Sequence, residues 1–152
     1  MDPMKKATSL AYKADSIGEV PIGAVIVKGD KIISSGYNSR EKDQIATHHA
    51  EIIAIEKACK KLESWRLDDC DIYVTLEPCP MCAGAILNAR IKNLYYAVPD
   101  HNYGAVSKFD MLNNNLNHTT KSIQLKDYEE ENKNLIQNFF KTKRKSSKSS
   151  KK

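Results

Sequence analysis

Two short stretches hold residue types able to do chemistry: His48-His49-Ala50-Glu51 and Cys79-Pro80-Met81-Cys82. A Cys-x-x-Cys alone fits a zinc site, a redox pair or neither. A His-x-Glu alone occurs by chance. Together they offer an imidazole, two thiols and a carboxylate. His49, Cys79 and Cys82 make three metal ligands, one short of a closed structural zinc site. Three protein ligands plus an open position is the catalytic arrangement. Zinc so held lowers the pKa of water from about 15.7 to around 7. Glu51, two residues past His49, is then left to carry protons rather than bind metal. The chemistry expected is metal-assisted hydrolysis.

Helix starts are the natural places for these ligands. Pro80 fits the first position of a helix capped by Cys79, and the spacing of three brings Cys79 and Cys82 onto one face of its opening turn. The positive end of a helix favours thiolates. Apolar spacing predicts helices over 3–17, 49–62, 80–90 and 128–143, with a shorter one near 107–112. Strands are expected on either side of Gly29-Asp30, at 71–76, at 93–98 and weakly at 122–125. The order calls for an α/β domain: a mixed sheet of about five strands, antiparallel at its opening hairpin and parallel in the middle, with helices on both faces. If the helices at 49–62 and 80–90 leave adjacent parallel strands, their starts meet at one sheet edge, where open α/β sheets place their sites.

The chain of 152 residues suits one domain, expected over 1–142. No apolar run approaches the roughly 18 residues of a membrane helix, and the lysine-broken start "MDPMKKATSLAYKADS" lacks a signal-peptide core, so a cytoplasmic location without membrane association is expected. In that reducing compartment disulfides are disfavoured. The last twelve residues, "KTKRKSSKSSKK", hold seven of the 24 basic residues and no acid, leaving 17 basic against 19 acidic in the rest. The body is nearly neutral and the basicity lies in the tail. Residues 143–152 are expected to be disordered, either a solvated tail or an electrostatic hand for nucleic acid.

His-x-Glu followed by Pro-Cys-x-x-Cys is the established signature of the zinc nucleobase deaminases, a general pattern rather than one worked out from this chain. The chain also resembles the bacterial tRNA-specific adenosine deaminases of the cytidine/deoxycytidylate deaminase superfamily. The blocks that carry the likeness are "EVPIGAVIV", "GYN", "HAEIIAI", "YVTLEPCPMCAGAI", "ARIKNLYYA" and "FFKTKRK", with Asp100 and Gly104-Ala105 in the loop between. The resemblance implies a three-layer cytidine-deaminase-like fold and one Zn²⁺ per subunit. It also implies a homodimer, a tRNA anticodon arm as partner, and conversion of the wobble adenosine to inosine. In that scheme His49, Cys79 and Cys82 bind the metal and Glu51 shuttles protons. Val20 and Pro21 wall the base pocket by family analogy. Asp100, Asn102 and Tyr103 lie where the family contacts neighbouring nucleotides. Asn38, with both donor and acceptor, is a candidate contact to base or ribose; its plain reading is a turn residue. Lys141, Lys143, Arg144 and Lys145 form a basic strip for phosphate. Two departures stand out: His48, where a small residue is commoner, and the composition of "DHNYGAVSK".

Two rival functions fit the same residues. A deaminase of free guanine, cytosine or a nucleoside would use the same metal site, but the lysine-rich end suits RNA better. A non-catalytic zinc module binding RNA would need a fourth ligand. A thioredoxin-like oxidoreductase leaves His49 and Glu51 without a role. Among the remaining residues, Cys59 and Cys70 read as packing, and His48 as a neighbour of the site or a surface group. His101 is a possible RNA contact and His118 has no assignment. Phe139-Phe140 docks the last helix more readily than it stacks bases.

Overall fold

The computed structural model describes the backbone of residues 2–150 and the side chains of residues 2–143. Helix α1 (Pro3–Ser16) starts where Asp2 accepts hydrogen bonds from the Met4 and Lys5 amides and Pro3 fills a position that needs no amide hydrogen. Its buried stripe, Met4, Ala7, Leu10, Ala11 and Ala14, follows the helical period. Strands β1 (Gly23–Lys28) and β2 (Lys31–Tyr37) form the hairpin; Gly29 supplies the positive φ of 63° at the turn. A short helix α2 (Arg40–Asp43), absent from the sequence expectation, precedes α3 (Ala50–Leu62). Then come β3 (Cys70–Leu76), α4 (Pro80–Asn88), β4 (Asn93–Val98) and β5 (Lys121–Gln124). A single 3₁₀ turn (Lys126–Tyr128) leads into α5 (Glu129–Ser150).

The sheet has five strands in the order β2-β1-β3-β4-β5. β1 pairs antiparallel with both β2 and β3, while β3–β4 and β4–β5 are parallel. The expected mixed sheet, covered on both faces, is the one observed. On one face, α3 and α4 pack on Ala24, Ile26, Ile72, Val74 and Leu94. On the other, Met4, Ala7 and Leu10 of α1 pack on Val25 and Val27. Alternate residues of β1 thus serve opposite layers, which is why its sequence is apolar almost throughout.

Three expectations change. The helix near 107–112 is absent; residues 105–112 form turns, with Asp110 at a φ of 47° and the Val106 and Ser107 amides committed to the side chain of Glu77. The strands that feed α3 and α4 are parallel to each other but not adjacent. The hairpin inserts β1 between β2 and β3, running against both. Finally, α5 passes residue 143 and runs to Ser150. The expected disordered tail at 143–152 ends in residues 151–152, which lie outside the described residues, as do the side chains of 144–150.

Candidate active site and metal centre

The three expected ligands sit at two helix starts. His49 is the N-cap of α3, extended at φ −76° and ψ 157°, and its side chain makes no cap hydrogen bond. Cys79 is the N-cap of α4 at φ −73° and ψ 171°, also without a capping bond, and Pro80 follows it. Both side chains are therefore released from their own helices. Ala50, Ala54 and Ala83, buried in one cluster, are small enough to let α3 and α4 approach. The result is a convergence: the candidate ligand atoms of His49, Cys79 and Cys82 lie within 4.8 Å of one another.

The spacing matches a metal. His49 Nδ1 stands 3.5 Å from Cys82 Sγ and 3.8 Å from Cys79 Sγ. A tetrahedral zinc with ordinary Zn–N and Zn–S bonds holds its nitrogen and sulfur ligands about 3.5 Å apart. One imidazole and two thiols also form a donor set that zinc favours. Among the described residues this cluster has three members and no fourth, and the Glu51 carboxylate is not one of them.

The local electrostatics suit proton and metal chemistry. The Cys82 thiol donates to Cys79 and, with His49, pulls the Cys79 thiol down to about 4 against the resistance of burial. Cys82 is pushed well above the ordinary thiol range, first by that shared hydrogen bond and then by burial. His49 is raised by its hydrogen bond with Cys79. Glu51, in the first turn of α3, is 4% exposed, and burial raises its carboxyl to about 7. A carboxyl titrating near neutrality can both accept and donate a proton there.

The expected substrate residues fall into separate environments. Val20, Asp100, Asn102 and Tyr103 line one cavity of ≈ 510 Å³, together with His101 and, from α5, Lys133, Ile136, Gln137 and Phe140. Pro21 is buried. Asn38 is buried and engaged: its Oδ1 accepts from the Arg40 amide and its Nδ2 donates to the Val20 carbonyl at 3.5 Å. Lys141 and Lys143 are exposed, and the Lys143 ammonium lies 5.4 Å from the Phe139 ring centre. The side chains of Arg144 and Lys145 lie outside the described residues. His48 pairs with Asp43 at 2.7 Å, away from the ligand cluster. Phe139 is buried, docking α5, while Phe140 is 44% exposed.

Two buried carboxylates carry no role in the sequence expectation. Glu19, ahead of Val20, accepts from the Glu41 and Lys42 amides and ties that loop to α2. Glu77, ahead of Pro78 and Cys79, accepts from the amides of Asp100, Val106 and Ser107 and from the Ser107 hydroxyl. Their signal was an acidic residue set in an apolar run, "GEVPIG" and "YVTLEPC". Such a residue must find several donors when buried.

Residues 1–144 match the family model of the MafB19-like deaminases. The tRNA-specific adenosine deaminase of Rickettsia bellii (strain RML369-C) is 45% identical over 141 residues, spanning 91% of this chain and 97% of that protein. The chain is a tRNA-specific adenosine deaminase family member. A structure solved in a study of A-to-I editing by tRNA:A34 deaminases at the wobble position of transfer RNA aligns with a TM-score of 0.82. It is 38% identical, covering 88% of this chain and 97% of that one. Guanine deaminase from Bacillus subtilis aligns over less, 65% of this chain and 66% of its own, at 45% identity and a TM-score of 0.62.

Proposed function

We infer that the protein hydrolytically deaminates the wobble adenosine of a tRNA anticodon to inosine. The observation that carries the site assignment is the convergence of His49, Cys79 and Cys82 within 4.8 Å, with Glu51 buried beside them. His49, Cys79 and Cys82 would hold one zinc per subunit, which would supply Lewis-acid activation of a water molecule. Glu51 takes a proton from the water that adds at C6 of adenine. It gives that proton to the ring nitrogen as the C6–O bond forms, then takes the second proton from the oxygen now on C6 and gives it to the amine, so the C6–N bond breaks and ammonia leaves. One carboxyl serves both transfers because each proton it gains is given up before the next is taken.

The base must leave its stack to arrive there, which an anticodon loop permits more cheaply than a duplex. Val20 and Pro21 wall the pocket. Asp100, Asn102 and Tyr103 hold flanking nucleotides, a role supported by their shared cavity with Phe140. Asn38 acts on the substrate side of the Val20 loop, which its amide already braces. Lys141, Lys143, Arg144 and Lys145 contact phosphate. A homodimer completes the RNA surface: α4 offers Met81, 37% exposed, and Gly84, above which there is open space for a second copy. Among the described residues no helix is long and apolar enough to cross a membrane. A cytoplasmic location fits the free thiols Cys59 and Cys70.

Guanine deamination is the second reading, favoured by the partial match to the Bacillus subtilis enzyme. Incubation with an anticodon stem-loop bearing a wobble adenosine, beside free guanine, separates the two. Inosine from the stem-loop without ammonia from guanine supports the tRNA reading. Ammonia from guanine alone overturns it.

A further inference from the structure

Glu77 begins the short segment that leads from β3 to Cys79, and nothing in the deamination chemistry uses it. Its side chain is 2% exposed, and both oxygens are occupied. Oε1 accepts from the Asp100 amide at 3.0 Å and the Ser107 hydroxyl at 2.5 Å. Oε2 accepts from the Val106 amide at 2.8 Å and the Ser107 amide at 2.7 Å. The backbone adds two more ties: the Glu77 amide donates to the Val98 carbonyl at 2.8 Å, and the Ala105 amide to the Pro78 carbonyl at 2.9 Å. Gly104 lies against the carboxylate so closely that a side chain there would collide with Oε2 and with the Asp100 carbonyl oxygen. The loop over 99–107 is thus wrapped around one acidic side chain.

That loop has an outer end with a different task. Asp100 Oδ1 accepts from the Asn102 and Tyr103 amides, both at 3.1 Å. The resulting turn carries Tyr103, 68% exposed, on the wall of the ≈ 510 Å³ cavity. Asp100 therefore has its amide fixed by Glu77 and its Oδ1 committed to shaping the turn. An ionised carboxylate suits the inner position because it only accepts, and it can take all four donors at once. It also gives three part-buried loop amides an acceptor.

We propose that Glu77 is a positioning residue that sets the Asp100–Tyr103 turn at a fixed distance from the start of α4, and so couples grip on the flanking nucleotides to placement of the reacting base. This rests on the tRNA reading above. Glu77 touches neither the substrate nor the proposed metal; it acts through the loop. Glu77→Gln isolates the effect. The amide oxygen can face Val106 and Ser107, but the new NH₂ then meets the Asp100 amide, donor against donor. The inner loop is kept and the Asp100 anchor is lost.

The test compares wild type and Glu77→Gln on two anticodon stem-loops, one intact and one with abasic residues flanking the wobble adenosine. Zinc content and melting temperature are measured on the same preparations. The expected result on the intact loop is a KM raised about 10- to 100-fold, the span of a lost charge-assisted hydrogen bond, with zinc content unchanged. On the abasic loop the two proteins should converge to within about twofold, because the variant has already lost what the flanking bases provide. Equal losses on both substrates would overturn the proposal, as would zinc loss with a fall in kcat at unchanged KM. Gly104→Ala keeps the carboxylate but displaces the loop, and should show the same convergence if Glu77→Gln does not fold. If neither variant holds zinc, Glu77 serves the fold alone and the proposal fails. If wild type converts neither stem-loop, it is the tRNA reading that fails, a result separable from all of these.

Discussion

At the scale of single residues, the site divides labour between a proton carrier and a set of candidate ligands. Glu51 is buried and its carboxyl sits near neutrality, whereas the three candidate ligands form their own cluster beside it. Removing the carboxylate should therefore spare the metal. Glu51→Ala is expected to keep about one zinc per chain, measured by elemental analysis, while inosine formation falls about 10²- to 10⁴-fold. Activity within a few-fold of wild type would remove Glu51 from the chemistry. Cys79→Ala should do the reverse and lose zinc and turnover together, since two remaining ligands leave the ion poorly held. Retention of stoichiometric zinc in that variant would contradict the ligand set.

At the scale of elements, α3 is seated on β2 with no spare room. A Cβ on Gly36 would come within 2.7 Å of the Ala50 carbonyl oxygen and 3.0 Å of Ile53 Cβ, neither of which can swing aside. Gly36→Ala should push the start of α3 outward and carry His49 with it. The expected outcome is a lower melting temperature together with easier zinc extraction by a chelator. Unchanged extraction would mean that His49 is held independently of the helix seat. Leu94, fully buried on β4, reports on the core alone: Leu94→Ala should cost about 2–5 kcal/mol, read from denaturant midpoints. Much of this architecture was legible beforehand. The helical stripe of α1, the glycine turn and the proline after Cys79 are local signals, and the local structure follows them. What was not legible depends on distant partners. Phe109, Met111 and Leu112 allow a helix, but the loop before them is claimed by Glu77, some thirty positions upstream, and long-range hydrogen bonds outweigh local preference. The insertion of β1 between β2 and β3 was hidden for a related reason. Strand pairing order is not written in the spacing of any one strand.

At the scale of the whole molecule, charge is the property most unevenly spread. Residues 143–152 carry six lysines and arginines and no acid, against a body in which acids slightly outnumber bases. If that segment grips phosphate, stem-loop binding should weaken steeply with salt. Deleting residues 143–152 should make the log–log slope shallower by up to about 4, at roughly 0.7 per phosphate contact on single strands. An identical slope after deletion would remove the tail from substrate binding without touching the chemistry.

The most direct single measurement is a chelator titration of the wild-type protein in which zinc content and inosine yield from a wobble-adenosine stem-loop are read on the same samples. Inosine yield should fall in proportion to zinc, reach zero when the ion is gone, and return on adding zinc back. Undiminished inosine from protein stripped of metal would contradict that expectation.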